Sequence, residues 1–191
     1  MFYNNLGLTK AHIEPNNIEK QNVQRAIDMF SAELIGTIKS HHDLGVPGFE
    51  NVDETVTFME HIEKWWHQMD ISNTTQWTRK RLENKKPFYS MEDERIQWLE
   101  ETFLRYLNDW KCHSNARQFL TRETYEAVLL TTKCLIDTVK YLLEVKKFFF
   151  VLTRLFQSDP VESFFQQHQT AERQSLQRRG KRRSLSSCKN A

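Results

Sequence analysis

Apolar side chains recur at spacings of three and four residues over four stretches of the chain, which is the pattern of an amphipathic helix. The first stretch runs from about residue 17 to residue 40, and the second follows Asn51, a candidate N-cap. The third begins after Ser90 and the fourth after Thr121, two further residues suited to cap a helix. The pattern therefore predicts a mainly α-helical fold built on four long helices.

The segment after the fourth stretch has a different character. Residues 148–152 form a short aromatic and β-branched run, which is typical of a strand or of a buried extended segment. Asp159, Pro160 and Glu162 then occupy the N-cap, first and third positions of a capping box, which predicts a short helix through Phe164 and Phe165. Beyond about Thr170 there is little to bury, so we expect disorder.

The amino-acid composition is consistent with a mainly helical fold and argues against a β-sandwich, a membrane-spanning protein and a secreted protein. The 191 residues include only 5 Gly and 4 Pro, too few for the many turns of a β-sandwich. No apolar run reaches the roughly 18 residues of a membrane span, and the N-terminus lacks the layout of a signal peptide. The three cysteines are far apart and form no C-x-x-C motif, which favours a reducing compartment. We expect a chain without membrane partners, located in the nucleus or otherwise in the cytoplasm.

Common catalytic and ligand-binding motifs are missing from the sequence. It has no P-loop, no G-x-G-x-x-G, no G-x-S-x-G and no H-E-x-x-H motif. Five tryptophans could stack on nucleic-acid bases, but three of them (Trp66, Trp98 and Trp110) lie on or beside apolar stripes, where core packing is the ordinary explanation. Trp65 and Trp77 are less well explained by packing.

The C-terminal tail concentrates the positive charge. The whole chain carries a formal charge of only +2, yet residues 173–191 hold seven basic residues and no acid. The densest part is a run of five basic side chains: Arg178, Arg179, Lys181, Arg182 and Arg183. Such a run is typical of a nuclear-import signal or a nucleic-acid-binding arm, and equally of a solvating end without a partner.

Asp159 and Glu162 have two interpretations. Taken alone, they are explained by the capping box, because both side chains satisfy backbone groups at a helix start. Two carboxylates three residues apart can also converge on one divalent cation, as two-metal phosphoryl transfer requires.

Three stretches resemble the P-element and THAP-type DNA transposases. Residues 8–15 (Leu-Thr-Lys-Ala-His-Ile-Glu-Pro), continuing to Ala26, are similar to the start of the family's helical insertion domain. Residues 119–127 resemble the opening of its last RNase H segment. Residues 149–165 are similar to the stretch in which an extended segment leads into a D-x-x-E helix start.

This resemblance implies a fold and a site. The family's catalytic domain is RNase H-like, holds two Asp and one Glu around divalent metal, and is interrupted by a helical domain that binds GTP. Glu162 matches the final catalytic Glu, and Asp159 matches the acid three residues before it. We therefore expect residues 1–115 to be the C-terminal part of the insertion domain, 116–168 the closing RNase H-like segment, and 169–191 a disordered basic tail.

The sequence also departs from the family pattern. Both catalytic Asp of the family lie upstream of the insertion domain, so this chain carries at most one of three catalytic carboxylates. Gln166 and Gln167 follow where the family has Gly and a basic stretch. We expect a fragment or derivative of a transposase that is not catalytic alone, with neither Mg²⁺ nor GTP bound fully. The alternative is a non-catalytic DNA- or protein-binding module derived from a transposase.

Overall fold

A computed structural model describes residues 8–17, 22–80, 82–115 and 118–157 of the chain, and these residues are mainly α-helical. The chain divides into two compact units, Met1–Leu152 and Thr153–Ala191. The described part of the second unit is a 3-10 turn at Thr153–Phe156. The first unit contains eight α-helices among its described residues: α1 Lys10–Ile13, α2 Val23–Asp28, α3 Ala32–Asp43, α4 Asp53–Met69, α5 Gln76–Lys80, α6 Glu94–Gln97, α7 Leu104–His113 and α8 Arg122–Glu144.

The first predicted helix is wrong in its length. The stretch holds two helices, α2 and α3, because the hydroxyl of Ser31 accepts the N–H of Leu34 at 3.3 Å and starts a new helix. Apolar spacing alone does not reveal this break, since Ile27, Phe30 and Leu34 keep helical spacing across it. Val23, predicted on the apolar stripe, is exposed.

The second predicted helix is α4, and its apolar stripe is confirmed by the burial of Val56, Met59 and Met69. Asn51 does not cap it. Val52 occupies the N-cap position without any side-chain cap, and Asp53 and Glu54 supply negative charge in the first turn. The helix dipole there favours those acids, which makes a side-chain cap dispensable.

The third predicted helix is continuous from α6 through a π-helical turn, Trp98–Phe103, into α7. Its N-cap is Asp93, whose carboxylate accepts the N–H of Arg95 at 3.0 Å, and the predicted cap Ser90 instead accepts the N–H of Glu92. The π-turn is defined by the N–H of Leu104 donating to the C=O of Leu99, five residues earlier. The helix of the fourth stretch, α8, begins as predicted, with the Thr121 hydroxyl accepting the N–H of Thr124.

The larger of two hydrophobic core clusters joins α4, the α6–α7 helix and α8. Phe88, Leu99, Phe103, Leu107 and Val139 have no measurable exposed surface. A smaller cluster of Leu34, Ile35, Val56 and Met59 packs α3 against α4. Of the helices in the described ranges, none combines the length and apolar character needed to cross a bilayer.

The aromatic run at 148–152 differs from both expectations. Only Val151 forms a β-bridge, with Phe88, through hydrogen bonds of 2.9 and 3.2 Å in both directions. Val151 is buried, whereas Phe148, Phe149 and Phe150 are exposed. The segment is thus anchored at one end and open to solvent over its aromatic part. The predicted divisions after residues 115 and 168 stay predictions.

Candidate functional site

The residues singled out by the D-x-x-E resemblance are not described by the structure. Asp159 and Glu162 lie outside the described ranges, and so do the tail residues Arg178, Arg179, Lys181, Arg182 and Arg183. Their catalytic, metal-binding and nuclear-import roles therefore stay predictions. Within the described ranges, no group of three or more His, Cys, Asp or Glu side chains is placed to hold a metal ion.

A cleft of about 690 Å³ lies between α2 and the start of α3 on one side and α4 with the segment 76–85 on the other. Its walls are apolar and aromatic, with Ile27, Phe30 and Trp66 among them. Four carboxylates also line it: Asp28, Glu33, Glu63 and Asp70. Because these residues come from segments far apart in the chain, no local motif could have revealed this cleft.

Glu63 is the carboxylate that the cleft perturbs. Burial raises its pKa above the usual value, and the nearby charges of Glu33 and Glu60 raise it further. One interaction opposes them, because the carboxylate accepts the backbone N–H of Ala32 in the first turn of α3. Glu63 therefore occupies the positive end of α3, the place where a helix could otherwise bind an anion.

Lys85 is the only Lys or Arg among the described residues that line the cleft, and it is engaged. Its ammonium lies 3.2 Å from the carboxylate of Asp70, and both side chains are nearly buried. In such a pair each charge compensates the desolvation of the other, so neither is available to a ligand without a large penalty.

The segment that carries Lys85 is fixed by Arg95. The guanidinium of Arg95 donates to the backbone carbonyls of Asn84, Lys86 and Pro87, and it pairs with Asp93 at 2.6 Å. It also lies over the Phe88 ring, 4.1 Å from its centre. One buried cation thus ties the loop after the 3-10 turn Glu83–Lys85 to the start of α6.

The cleft does not fit a nucleoside triphosphate. Carboxylates such as Glu33 could accept the N–H groups of a guanine base, but a triphosphate needs cations or free helix N-terminal amides. Here the described lining offers four acids, a paired lysine, and a helix start already taken by Glu63. The GTP binding implied by the resemblance stays a prediction.

We expect Glu63→Gln to stabilise the protein by about 0.5 kcal/mol at neutral pH, a small gain because solvent screens the part-exposed side chain. The folded pKa is raised, so the ionised form is disfavoured by folding, and that penalty is present above the raised pKa. The penalty disappears as pH falls below the ordinary pKa of 4.5, where the carboxyl group is protonated in both the folded and the unfolded state. The amide oxygen of Gln can still accept the N–H of Ala32.

Urea denaturation of wild type and variant at pH 7 and about pH 4 measures this difference. Asp137→Asn, at an exposed position of α8, is the matched control and should change stability little at either pH. If Glu63→Gln raised the free energy of unfolding equally at both pH values, the stabilisation would not come from the raised pKa of Glu63.

The two tryptophans that the apolar stripes left less well explained, Trp65 and Trp77, have different surroundings. The Trp65 indole N–H donates to the hydroxyl of Thr132 at 2.8 Å, and its ring stacks on Phe103. The Trp77 indole N–H donates to the Thr74 carbonyl at 3.1 Å, and Lys86 lies 5.4 Å from the ring centre. Packing therefore explains Trp65, which lies against the main core, whereas Trp77 is half-buried and belongs to neither core cluster. The residues missed as candidates are those of the cleft and the exposed Phe148–Phe150 run, whose aromatic composition was the available signal.

Comparison with known proteins gives one fold-level result. No protein-family model matches the chain, and no curated protein matches its sequence. Among solved structures, the chain is similar to the protein in the Drosophila P element transposase strand transfer complex, with a TM-score of 0.67 and 21% identity. The match covers 84% of this chain and 34% of that one, so this chain spans about a third of that protein's length. The chain therefore has the fold of one part of the P element transposase.

Proposed function

We propose that this chain is a fragment or a derivative of a P-element-type DNA transposase, and that it does not cleave or join DNA by itself. The observation that carries the proposal is the shared fold over 84% of the chain. The three resembling stretches at residues 8–26, 119–127 and 149–165 support it independently, because they were found in the sequence without reference to structure.

We expect inactivity because of the number of catalytic carboxylates that the resemblance provides. Metal-dependent strand cleavage uses acidic ligands to hold ions that stabilise the attacking and the leaving oxygen. Glu162 and Asp159 are the two carboxylates that the resemblance provides, and they would contribute to an Mg²⁺ site only if upstream carboxylates were supplied. Only Glu162 matches one of the family's three catalytic carboxylates, and a single catalytic carboxylate cannot hold two metal ions in working geometry.

A cleavage assay tests this part of the proposal. The purified full chain is incubated with supercoiled plasmid and with linear duplex DNA in Mg²⁺ or Mn²⁺, beside Glu162→Gln. We expect no difference between the two proteins and no metal-dependent nicking. Metal-dependent cleavage by the wild type that Glu162→Gln abolishes would overturn the proposal.

GTP binding is expected to be absent or weak in this chain. The reasons are the acidic lining of the cleft and the two engaged groups, Lys85 and the first turn of α3. Adding millimolar GTP with Mg²⁺ should leave the thermal midpoint unchanged, since a ligand that binds only the folded state would raise it. A midpoint rise with GTP that ATP does not reproduce would contradict this expectation.

The second candidate function is a non-catalytic DNA- or protein-binding module located in the nucleus. It is favoured by the seven basic residues and no acid between Arg173 and Ala191. If the tail is the contact, deleting it should abolish duplex binding, and the wild-type affinity should fall steeply with salt. If the chain without residues 173–191 binds duplex DNA as tightly as the full chain, the tail is not the DNA contact. A cooperative thermal transition of the expressed chain would argue against an incomplete gene product without a role of its own.

A further inference from the structure

The end of α8 carries an unusual concentration of exposed aromatic side chains. Phe149 is 92% exposed and Phe148 is 54% exposed, and they follow directly on Lys146 and Lys147. Phe150, Tyr89 and Tyr141 are also exposed, and the rings of Tyr89 and Phe150 lie 6.2 Å apart. We call residues 146–150 with Tyr89 and Tyr141 the aromatic–lysine patch. Contiguous exposed apolar surface of this kind marks an interaction site.

The backbone holds the patch in one shape. Lys147, three residues beyond the end of α8, has a positive φ of 56°, and the N–H of Phe148 donates to the Leu142 carbonyl at 3.0 Å, which ties the segment back to the last turn of the helix. Glycine is the residue that such a positive φ favours, because a Cβ there is strained. At the other end, the Val151–Phe88 bridge anchors the run. The three phenylalanines are therefore displayed between two fixed points.

The two lysines of the patch, Lys146 and Lys147, indicate which class of partner it fits. Within the described ranges, Lys146 and Lys147 form no ion pair, and Lys146 lies 5.5 Å from the ring centre of Tyr141. Lysine is depleted in the cores of protein–protein interfaces, whereas aromatics are enriched there. Exposed aromatic rings beside lysines that form no ion pair within the described ranges instead match single-stranded nucleic acid, in which unpaired bases stack on rings and phosphates pair with ammonium groups. A duplex keeps its bases stacked on one another and cannot use the rings.

We propose that the aromatic–lysine patch binds single-stranded nucleic acid, with Phe149 and Phe148 stacking on unpaired bases and Lys146 and Lys147 contacting phosphates. Lys147 keeps its charge at a position where glycine would be less strained, which is consistent with a role for its side chain. The proposal rests on the patch alone and does not require descent from a transposase. It also concerns residues separate from the basic tail.

Fluorescence anisotropy with the full chain tests the proposal, using labelled oligothymidylate of about 16 nucleotides and a duplex of the same length. Phe149→Ala should weaken single-strand binding about 5-fold to 100-fold and leave duplex binding unchanged, because only unpaired bases stack on the ring. Leu44→Ala, which removes another highly exposed apolar side chain far along the sequence, is the matched control and should change neither affinity.

The contribution of Lys147 is measured by the salt dependence of single-strand binding. Lys147→Gly removes the charge and relieves the strained φ, so the variant should fold with an unchanged or higher thermal midpoint. Its single-strand affinity should fall, and the slope of log affinity against log salt should decrease by about 0.7, the value for one phosphate contact on a single strand. Phe149→Ala should leave that slope unchanged.

Three results would overturn the proposal. The first is wild-type protein that does not bind the oligothymidylate. The second is Phe149→Ala protein that binds it as tightly as wild type. The third is a change of oligomeric state in Phe149→Ala, seen by sedimentation, with single-strand affinity unaltered, because the patch would then join copies of the chain.

Discussion

Replacing Phe103 by alanine should lower the free energy of unfolding by about 3–5 kcal/mol, the range for removing a buried aromatic ring. Phe103 has no exposed surface and lies at the centre of the core. Its ring stacks on Trp65 and Trp98, at centroid distances of 5.9 and 5.5 Å. The substitution leaves a cavity and removes both aromatic contacts. Each aromatic contact stabilises the fold beyond the effect of burying the ring's apolar surface.

Chemical denaturation followed by tryptophan fluorescence measures this loss, because two of the reporting indoles contact the substituted ring. Leu130→Ala, at an exposed position of α8, is the matched control and should change stability by no more than about 0.5 kcal/mol. Equal effects of the two substitutions would show that the core is not packed around Phe103.

Arg95→Ala should be the second most damaging change, at about 2–4 kcal/mol. The guanidinium satisfies three backbone carbonyls and the Asp93 carboxylate in a nearly buried place. Burial acts to raise the pKa of Asp93, but hydrogen bonds from Arg95 and its charge outweigh burial and lower that pKa, so removal leaves the carboxylate partly buried without its cation. Carbonyls deprived of donors add their own desolvation penalty.

Arg95→Lys should recover little of this loss, since one ammonium cannot reproduce the planar fork that spans several acceptors. Arg105→Ala, which truncates an exposed arginine of α7, is the control and should be nearly neutral. Urea denaturation compares the three variants with wild type. If Arg95→Ala were as stable as wild type, the backbone carbonyls that Arg95 contacts in residues 84–87 would have to accept hydrogen bonds from other donors.

Prediction from sequence succeeded where the determining interactions are local. The hydroxyl of Thr121 caps α8 because it reaches an N–H three residues away, and the apolar spacing of Val56, Met59 and Met69 identified the buried face of α4. The mainly α-helical class follows from the same periodicity.

Prediction failed where two local solutions compete or where distant segments meet. Ser90 and Asp93 are both good caps, and the structure uses Asp93, whose carboxylate also pairs with Arg95. The break at Ser31 is hidden because the apolar spacing continues across it. The cleft around Glu63 joins segments that only the fold brings together. Glu162 and Asp159 were predicted from a resemblance and lie outside the described residues.

The π-turn at Trp98–Phe103 also bears on how this chain must be aligned with any relative. A π-turn holds one residue more than an α-helical turn, and each α-helical residue rotates the helix by about 100°. A relative with a regular helix here would lack one residue in the middle of the element. An alignment that forbids gaps inside helices would then pair solvent-facing positions of one protein with buried positions of the other throughout α7.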